Sequence, residues 1–191
     1  DYRTVQFTPH MDWVLRSIRP THVPIGTLFP FDLETFLIQP GHTAPKMVCM
    51  SSMIVRPSWD PSSGGTYPPE LVHGNFERDM LESKIRAALL DRHAMLIGAN
   101  VAFDLTVIAN EFPHLMELVF DAYEQDRVVC VQLAERLIHN ATNRLEGEYQ
   151  ADGTWVKHYY SLADLARRYL GVDLDKDTWR LKYGTLFGTP I

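Results

Sequence analysis

Apolar and polar positions follow two different periods along the chain, and their alternation predicts an α/β fold. Short apolar runs typical of strands are separated by longer segments in which apolar residues recur at helical spacing. The strands are predicted at residues 27–38, 47–55, 94–99 and 127–131. The helices are predicted at residues 76–92, 101–112, 114–124 and 132–140.

Turn-forming residues predict where the chain reverses. Pro40 and Gly41 separate the first two strands, which we therefore expect to form a hairpin. Residues 56–74 are rich in proline and glycine and predict an exposed loop.

Residues 148–160 predict a second hairpin, because Asp152 is followed by Gly153 between two polar-aromatic arms. After it, Ser161 is expected to cap a last helix that ends at Gly171. The order of all these elements is that of a sheet covered by helices.

The chain has 191 residues and 46% hydrophobic composition, enough for one hydrophobic core. We expect one domain over residues 27–191, preceded by an extension over residues 1–26. The longest apolar stretch is interrupted by Asn100 and Asp104 and falls short of the roughly 20 apolar residues that span a bilayer. The sequence therefore predicts a soluble protein without a membrane partner.

Side-chain types narrow the class of protein further. Cys49 and Cys130 lie in apolar runs, which predicts free core thiols in a reducing compartment such as the cytoplasm. The histidines lack metal-ligand spacing, and His139 and His158 are expected at the surface or in loops. A net charge of −6 argues against a protein that coats nucleic acid, but it allows a nucleic-acid enzyme whose site is built from carboxylates and metal ions.

Two acids lie on the first predicted strand. Successive side chains of a strand alternate between faces, so Asp32 and Glu34 share one face while Leu33 points to the core. Two charges on an otherwise apolar strand need compensation, and a divalent cation such as Mg²⁺ or Mn²⁺ supplies it through oxygen ligands. The alternative is a solvent-facing strand with two ordinary surface acids.

A third acid, Asp104, falls in the first turn of a helix that follows the buried strand at residues 94–99. Ligands of α/β proteins bind at the carboxyl ends of strands, so Asp104 is placed to reach a metal ion. The alternative is an acid that complements the helix macrodipole, with Asn100 as the N-cap.

Together these segments resemble the proofreading 3'-5' exonuclease domain of family A DNA polymerases, particularly those of phages. That family has Asp-x-Glu on its opening strand, matched by Asp32 and Glu34, and then Asn-x-x-Phe-Asp, matched by Asn100, Phe103 and Asp104. Residues 160–171 and the segment around Tyr183 are also similar to the family. The resemblance implies a ribonuclease-H-like mixed β-sheet flanked by helices.

The resemblance also implies a site with two Mg²⁺ or Mn²⁺ ions, in which Asp32, Glu34 and Asp104 are both catalytic residues and metal ligands. Five further residues are expected to bind or position the substrate: Thr35, Phe36, Leu37, Asn100 and Phe103. The expected substrate is a single-stranded DNA 3' end in a bacterial or phage-infected cell. The expected partner is a polymerase domain in the same or a partner chain.

The family's third motif, Tyr-x-x-x-Asp, is expected beyond the segment around Tyr183. We therefore expect this chain to stop before the motif and to be weak or inactive by itself. Two strings inside the chain fit the pattern, Tyr160 with Asp164 and Tyr169 with Asp173. Neither is expected to serve, because the predicted cap and the terminal glycine of the last helix put the members of each pair off one helical face.

Two other functions remain open at this point. An RNA-processing exonuclease with the same acids would select its substrate through the ribose 2'-hydroxyl. A catalytically silent module that binds nucleic acid would also fit, because no third motif is assigned.

Overall fold

The computed structural model describes residues 26–56, 65–66, 70–73, 77–174 and 182–187. The predicted extension over residues 1–26, apart from Gly26, lies outside the described residues, as does most of the predicted loop over residues 56–74. The prediction of a loop is wrong for Gly65–Thr66 and Glu70–His73, which are paired strands.

The described residues form short strands and six α-helices in alternating order. The strands are β1 Leu28–Thr35, β2 Met47–Ser52, β3 Val55–Arg56, β4 Gly65–Thr66, β5 Glu70–His73, β6 Met95–Gly98, β7 Val128–Cys130, β8 Gly147–Tyr149 and β9 Trp155–Lys157. The helices are α1 Arg78–Leu90, α2 Val101–Glu111, α3 Met116–Glu124, α4 Val131–Ala141, α5 Leu162–Leu170 and α6 Tyr183–Leu186.

Strand β1 lies inside a mixed sheet. On one side it pairs antiparallel with β2, which pairs antiparallel with β5, and on the other side it runs parallel to β6, which runs parallel to β7. Strand β3 pairs with the start of β1 and carries β4, while β8 and β9 form a separate hairpin. The predicted α/β class and both predicted hairpins are confirmed.

The core lies between the sheet and the helices. Alternate residues of β1 are buried, including Phe31 and Leu33, each 6% exposed. They belong to one cluster with Leu81 of α1, Leu105 of α2 and Met47 and Met50 of β2. The apolar residues that alternate along β1 and those that recur at helical spacing in α1 and α2 therefore pack into one core, as in a sheet covered by helices.

Helix boundaries follow local chemistry. The segment predicted as one helix at residues 114–124 begins instead with a 3₁₀ turn, Pro113–Leu115, before α3. Proline has a fixed φ and no N–H, so it suits the first turn of a helix and separates this turn from α2. Helix α5 begins after Ser161 and ends at Gly171, whose φ of 66° is left-handed, and both predictions are confirmed.

Arg127 precedes β7 and is buried, at 3% exposed. Its guanidinium donates to the carbonyl oxygens of Leu89 at 2.8 Å, Asp91 at 3.2 Å and Ala94 at 3.4 Å. Burial lowers the pKa of Arg127, and these carbonyls together with the Gln125 side chain replace the water that the cation loses. The side chain therefore fastens the end of α1 and the start of β6 to the approach of β7.

The expectation that His139 and His158 lie at the surface is wrong. They are 5% and 7% exposed, and their rings stack with centroids 4.3 Å apart. His139 bonds to the Tyr160 hydroxyl at 2.9 Å, and its other ring nitrogen is 3.1 Å from the Glu135 carboxylate. The pair is buried because α4 docks on the segment that joins the β8–β9 hairpin to α5, a contact that local sequence does not encode.

Both cysteines are free, with Cys49 buried and Cys130 half-buried, in agreement with their prediction as unpaired thiols. Among the helices that the structure describes, none has the length and apolar character needed to cross a bilayer.

Candidate active site

Asp32 and Glu34 project from β1 on the face opposite the core. Both are half-buried, whereas Phe31 and Leu33 between and beside them are buried. Their partners across the hairpin are Ser51 and Cys49 on β2. The prediction that the two acids share one face of a strand is confirmed.

Asp104 reaches the same strand from α2. Its side chain is 3% exposed, and its Oδ1 accepts a hydrogen bond of 3.3 Å from the backbone N–H of Leu33. Strand β6 pairs with β1 only up to Pro30, so the Leu33 N–H on that edge is left for a side-chain acceptor. The third acid is therefore attached to the backbone of the residue that separates the other two.

The junction of β6 and α2 makes this contact sterically feasible. Asn100 has a left-handed φ of 61°, which turns the chain sharply from the strand into the helix. It occupies the N-cap position, but its side chain makes no capping hydrogen bond. A Cβ on Gly98 would lie 3.1 Å from the Val101 side chain, so any larger residue there would require Val101 to shift slightly.

The electrostatics of the site show the proximity of the acids. Burial, followed by the negative charge of Asp32, raises the pKa of Asp104 to about 7. Burial and the charges of Glu34 and Asp32 raise the pKa of the Cys49 thiol to about 11. Burial and Glu34 raise the pKa of Tyr183 on α6 to about 12. In each case burial is the largest cause of the raised pKa, and the negative charge of neighbouring acids, which a bound cation would offset, adds to it.

The chain turns just after the two acids. The β1–β2 register shifts between Glu34 and Thr35, a β-bulge of the kind that re-aims side chains next to active sites. Thr35 and Phe36 are half-buried, and Leu37 is 55% exposed.

Of the five predicted substrate residues, Thr35, Phe36 and Leu37 thus directly follow the acids. Asn100 is exposed at the β6–α2 junction, four residues before Asp104. Phe103 is half-buried and packs against the hydrophobic core.

The donor set suits a hard divalent cation. All three acids offer carboxylate oxygens, and Mg²⁺ and Mn²⁺ are bound by oxygen ligands. Asp104 is buried beside two further acids, which makes a cation its natural counter-charge. Among the described residues, no group of three or more His, Cys, Asp or Glu side chains is arranged to hold a metal ion as it stands. The residues fit a metal by chemistry, and the carboxylates would have to adjust their rotamers to bind it.

The two internal Tyr-x-x-x-Asp strings have structural partners elsewhere. The Tyr160 hydroxyl donates to Leu145 O at 2.7 Å, and Asp164 forms a capping box with Ser161. The Tyr169 hydroxyl bonds to Glu135, and the last member of the second string, Asp173, pairs with Arg167 beyond the helix end. These contacts agree with the expectation that neither string serves as the third motif.

Replacing Asp164 with alanine should lower stability by about 1 kcal/mol, because a capping interaction at the start of α5 is lost. The expected affinity for Mn²⁺ is unchanged. Thermal melting and calorimetric titration measure the two quantities, and Ser161→Ala is the matched control because it removes the other half of the same box. Loss of Mn²⁺ binding in the Asp164 variant alone would mean that Asp164 belongs to the site.

Tyr183 was not identified as a site residue from the sequence. It appears there only in a segment that resembles the exonuclease family, and no local spacing connects it to a strand almost 150 residues earlier. Only the docking of α6 on β1 and β2 brings it to Glu34.

Comparison with known proteins gives one family and one fold. The family described as 3'-5' exonuclease matches residues 72–187, more than half of the chain, and this match includes Asp104 but begins after β1. No curated protein is significantly similar to the chain in sequence.

Solved structures of exonucleases share the fold at low sequence identity. Exonuclease I in complex with inhibitor BCBP is 12% identical over 86% of this chain and 40% of its own, with a TM-score of 0.52. Escherichia coli exonuclease I in complex with a 5cy-dT13 oligonucleotide is 14% identical over 80% of this chain and 37% of its own, with a TM-score of 0.50. The Aedes aegypti Nibbler EXO domain is 14% identical over 92% of this chain and 76% of its own, with a TM-score of 0.50. The chain spans about 40% of the length of exonuclease I, and the likeness confirms the ribonuclease-H-like α/β fold.

Proposed function

This chain belongs to the 3'-5' exonuclease family, and we propose that it removes nucleotides from the 3' end of single-stranded DNA as the proofreading part of a DNA polymerase. The observation that carries the proposal is the bond from Leu33 N–H to Asp104, which joins the family-matched helix to the strand bearing Asp32 and Glu34. It supports one site made of three carboxylates.

In this proposal Asp32, Glu34 and Asp104 hold two Mg²⁺ or Mn²⁺ ions. Bound there, the metal ions supply a nucleophile at neutral pH and neutralise the charge that develops on the phosphodiester during hydrolysis. Asp32 and Glu34 lie on a strand that pairs with β2 on one edge, and the bond from Leu33 N–H to Asp104 holds its other edge, so their backbone positions are fixed. The backbone N–H of Leu33 donates to the Asp104 carboxylate and so orients it. Because Asp104 is buried, little water competes for that carboxylate.

The substrate end is proposed to lie along the segment that follows the bulge. The exposed side chain of Leu37 is placed to contact the base of the terminal nucleotide, and Thr35 and Phe36 lie between Leu37 and the acids. Asn100 and Phe103 support the strand-to-helix turn that carries Asp104. A frayed single strand suits this site, because unpaired bases stack on apolar side chains without a sequence code.

Its setting is proposed to be the cytoplasm of a bacterial or phage-infected cell, with a polymerase domain in the same or a partner chain. The two free cysteines fit a reducing compartment. A net charge of −6 fits a domain that receives its DNA from a partner rather than by its own electrostatic attraction.

The second candidate is an RNA-processing 3'-5' exonuclease. The same three acids would perform the same hydrolysis, and the choice between DNA and RNA depends on contacts to the ribose 2'-hydroxyl. The family match begins at residue 72, after the segment at residues 35–37 proposed to meet the terminal nucleotide, and therefore fits either sugar.

The proposal is tested by digesting single-stranded DNA and RNA of matched sequence with the full-length native protein rather than with a fragment of it. With a 5' label, Mg²⁺ or Mn²⁺ should give a ladder that shortens from the 3' end of DNA, and EDTA should stop it. Faster digestion of RNA would favour the second candidate. Tight binding of either strand without digestion in any metal would favour a silent binding module.

A further inference from the structure

Helix α6 docks on the end of β1 that carries the acids. Gly184 lies so close to Phe36 that a Cβ there would be 2.9 Å from the ring. The rings of Phe36 and Phe187 pack with centroids 5.3 Å apart, and Lys46 Nζ lies 4.2 Å from the centroid of the Phe187 ring. The short helix is therefore held in place by contacts with aromatic rings at both of its ends.

This docking brings Tyr183 to Glu34. The tyrosine is half-buried on a helix that packs on β1 and β2, and its hydroxyl lies beside the Glu34 carboxylate, within reach of a hydrogen bond. An ionised carboxylate only accepts, so the hydroxyl donates. Helix α6 thus contacts β1 at two points. Tyr183 lies beside Glu34, and Gly184 and Phe187 contact Phe36.

We propose that Tyr183 is a positioning residue that holds the Glu34 carboxylate in the rotamer needed to bind a metal ion. A glutamate has three rotatable side-chain bonds, so an exposed Glu34 would spend much of its time turned away from Asp32. A hydrogen bond from a half-buried tyrosine, anchored through Phe36, restricts that freedom. The inference rests on the proposed function, because it assigns Glu34 as a ligand.

The position of Tyr183 distinguishes this role from that of the family's third motif. The residue four positions later is Phe187, which packs on Phe36 and supplies no carboxylate. Tyr183 therefore acts through Glu34, and its removal should change the affinity of the site for metal more than the stability of the fold.

The inference is tested by calorimetric titration of Mn²⁺ into the full-length native protein. Hydrogen-bond partners of metal ligands contribute about 10-fold to 100-fold in metal affinity, and Tyr183→Phe should weaken Mn²⁺ binding by that factor. The metal-free melting temperature should stay close to that of the wild type, because the ring and its packing are kept. Tyr159→Phe is the matched control: Tyr159 is 57% exposed, and the same change there should leave Mn²⁺ affinity unaltered.

Gly184→Ala provides a second route to the same result. The added methyl group meets the Phe36 ring and should displace α6, so Mn²⁺ affinity should fall although Tyr183 is intact. In digestion assays Tyr183→Phe should lower kcat with KM nearly unchanged, since the substrate contacts remain. Gly184→Ala also presses on Phe36, a proposed substrate residue, and should raise KM as well.

The outcomes separate this inference from the proposed function. Wild-type binding of Mn²⁺ that Asp32→Ala removes and Tyr183→Phe leaves unchanged would overturn the role of Tyr183 alone. A wild type that binds no Mn²⁺ would overturn both. A Tyr183→Phe variant that loses its cooperative melt would show that the residue is structural, which also overturns the inference.

Discussion

Replacing Asp32 with alanine is expected to abolish Mn²⁺ binding and to reduce digestion of a DNA 3' end by at least about 1,000-fold. The bound metal ions would stabilise the transition state by several kcal/mol, and each loss of about 1.4 kcal/mol lowers the rate tenfold. The fold should survive, because Asp32 is half-buried on the face away from the core and its removal relieves repulsion from Glu34. Calorimetric titration and a labelled-oligonucleotide assay measure the two losses.

The matched control for Asp32→Ala is Glu117→Ala, which removes an exposed acid from the first turn of α3. It should leave both Mn²⁺ affinity and digestion unchanged. Undiminished Mn²⁺ binding in the Asp32 variant would show that Asp32 is not a metal ligand. Asp32 and Glu34 would then be ordinary surface acids of a solvent-facing strand.

Asp104→Asn is expected to make the metal-free protein more stable than the wild type at pH 8, by about 2 to 4 kcal/mol. The pKa of Asp104 is about 7 in the folded chain against an ordinary value of 3.8, so the folded state holds its proton longer than the unfolded state. As pH rises from about 4 to 7 the unfolded state loses this proton first, and the free energy of unfolding falls across that window. Asparagine keeps the acceptor for Leu33 N–H and has no charge to bury.

Urea unfolding of the metal-free wild type and Asp104→Asn at pH 4 and pH 8 measures this difference. The two proteins should be about equally stable at the lower pH and should diverge at the higher one. Adding Mn²⁺ at pH 8 should stabilise the wild type and leave the variant unchanged, because metal binding requires the ionised carboxylate. Equal stability of the two proteins at both pH values would mean that Asp104 does not carry a buried charge.

The sequence groups three acids without indicating which of them has a raised pKa. The structure shows the effect at Asp104, where burial adds to the charge of its neighbours. Burial of a helix residue against a strand edge depends on where the neighbouring strand ends. The period of the strand predicted that Asp32 and Glu34 share a face, and the family resemblance implied that Asp104 joins them, but neither could predict which acid is desolvated.

Local rules predicted most of the framework. The two-residue period of β1 was enough to put Asp32 and Glu34 on one face, and the Ser161 cap and Gly171 terminus were enough to bound α5. These features depend only on neighbours in sequence, so one chain suffices to predict them.

Features that join distant segments escaped prediction. The burial of His139 and His158 needs α4 to dock beside the β8–β9 hairpin, and the approach of Tyr183 to Glu34 needs α6 to dock on β1. In both cases the polar side chains look like ordinary surface residues until a partner from elsewhere in the chain removes them from water.

The buried Arg127 couples parts of the molecule that are far apart in sequence. One guanidinium donates to carbonyls 33 to 38 residues earlier, at the end of α1 and at the start of β6. Moving either segment away from Arg127 would leave its buried guanidinium and the carbonyl oxygens without their hydrogen-bond partners, so partial opening is costly. In hydrogen exchange, the backbone amides of these three places should therefore behave as one cooperative unit that opens with the parallel half of the sheet.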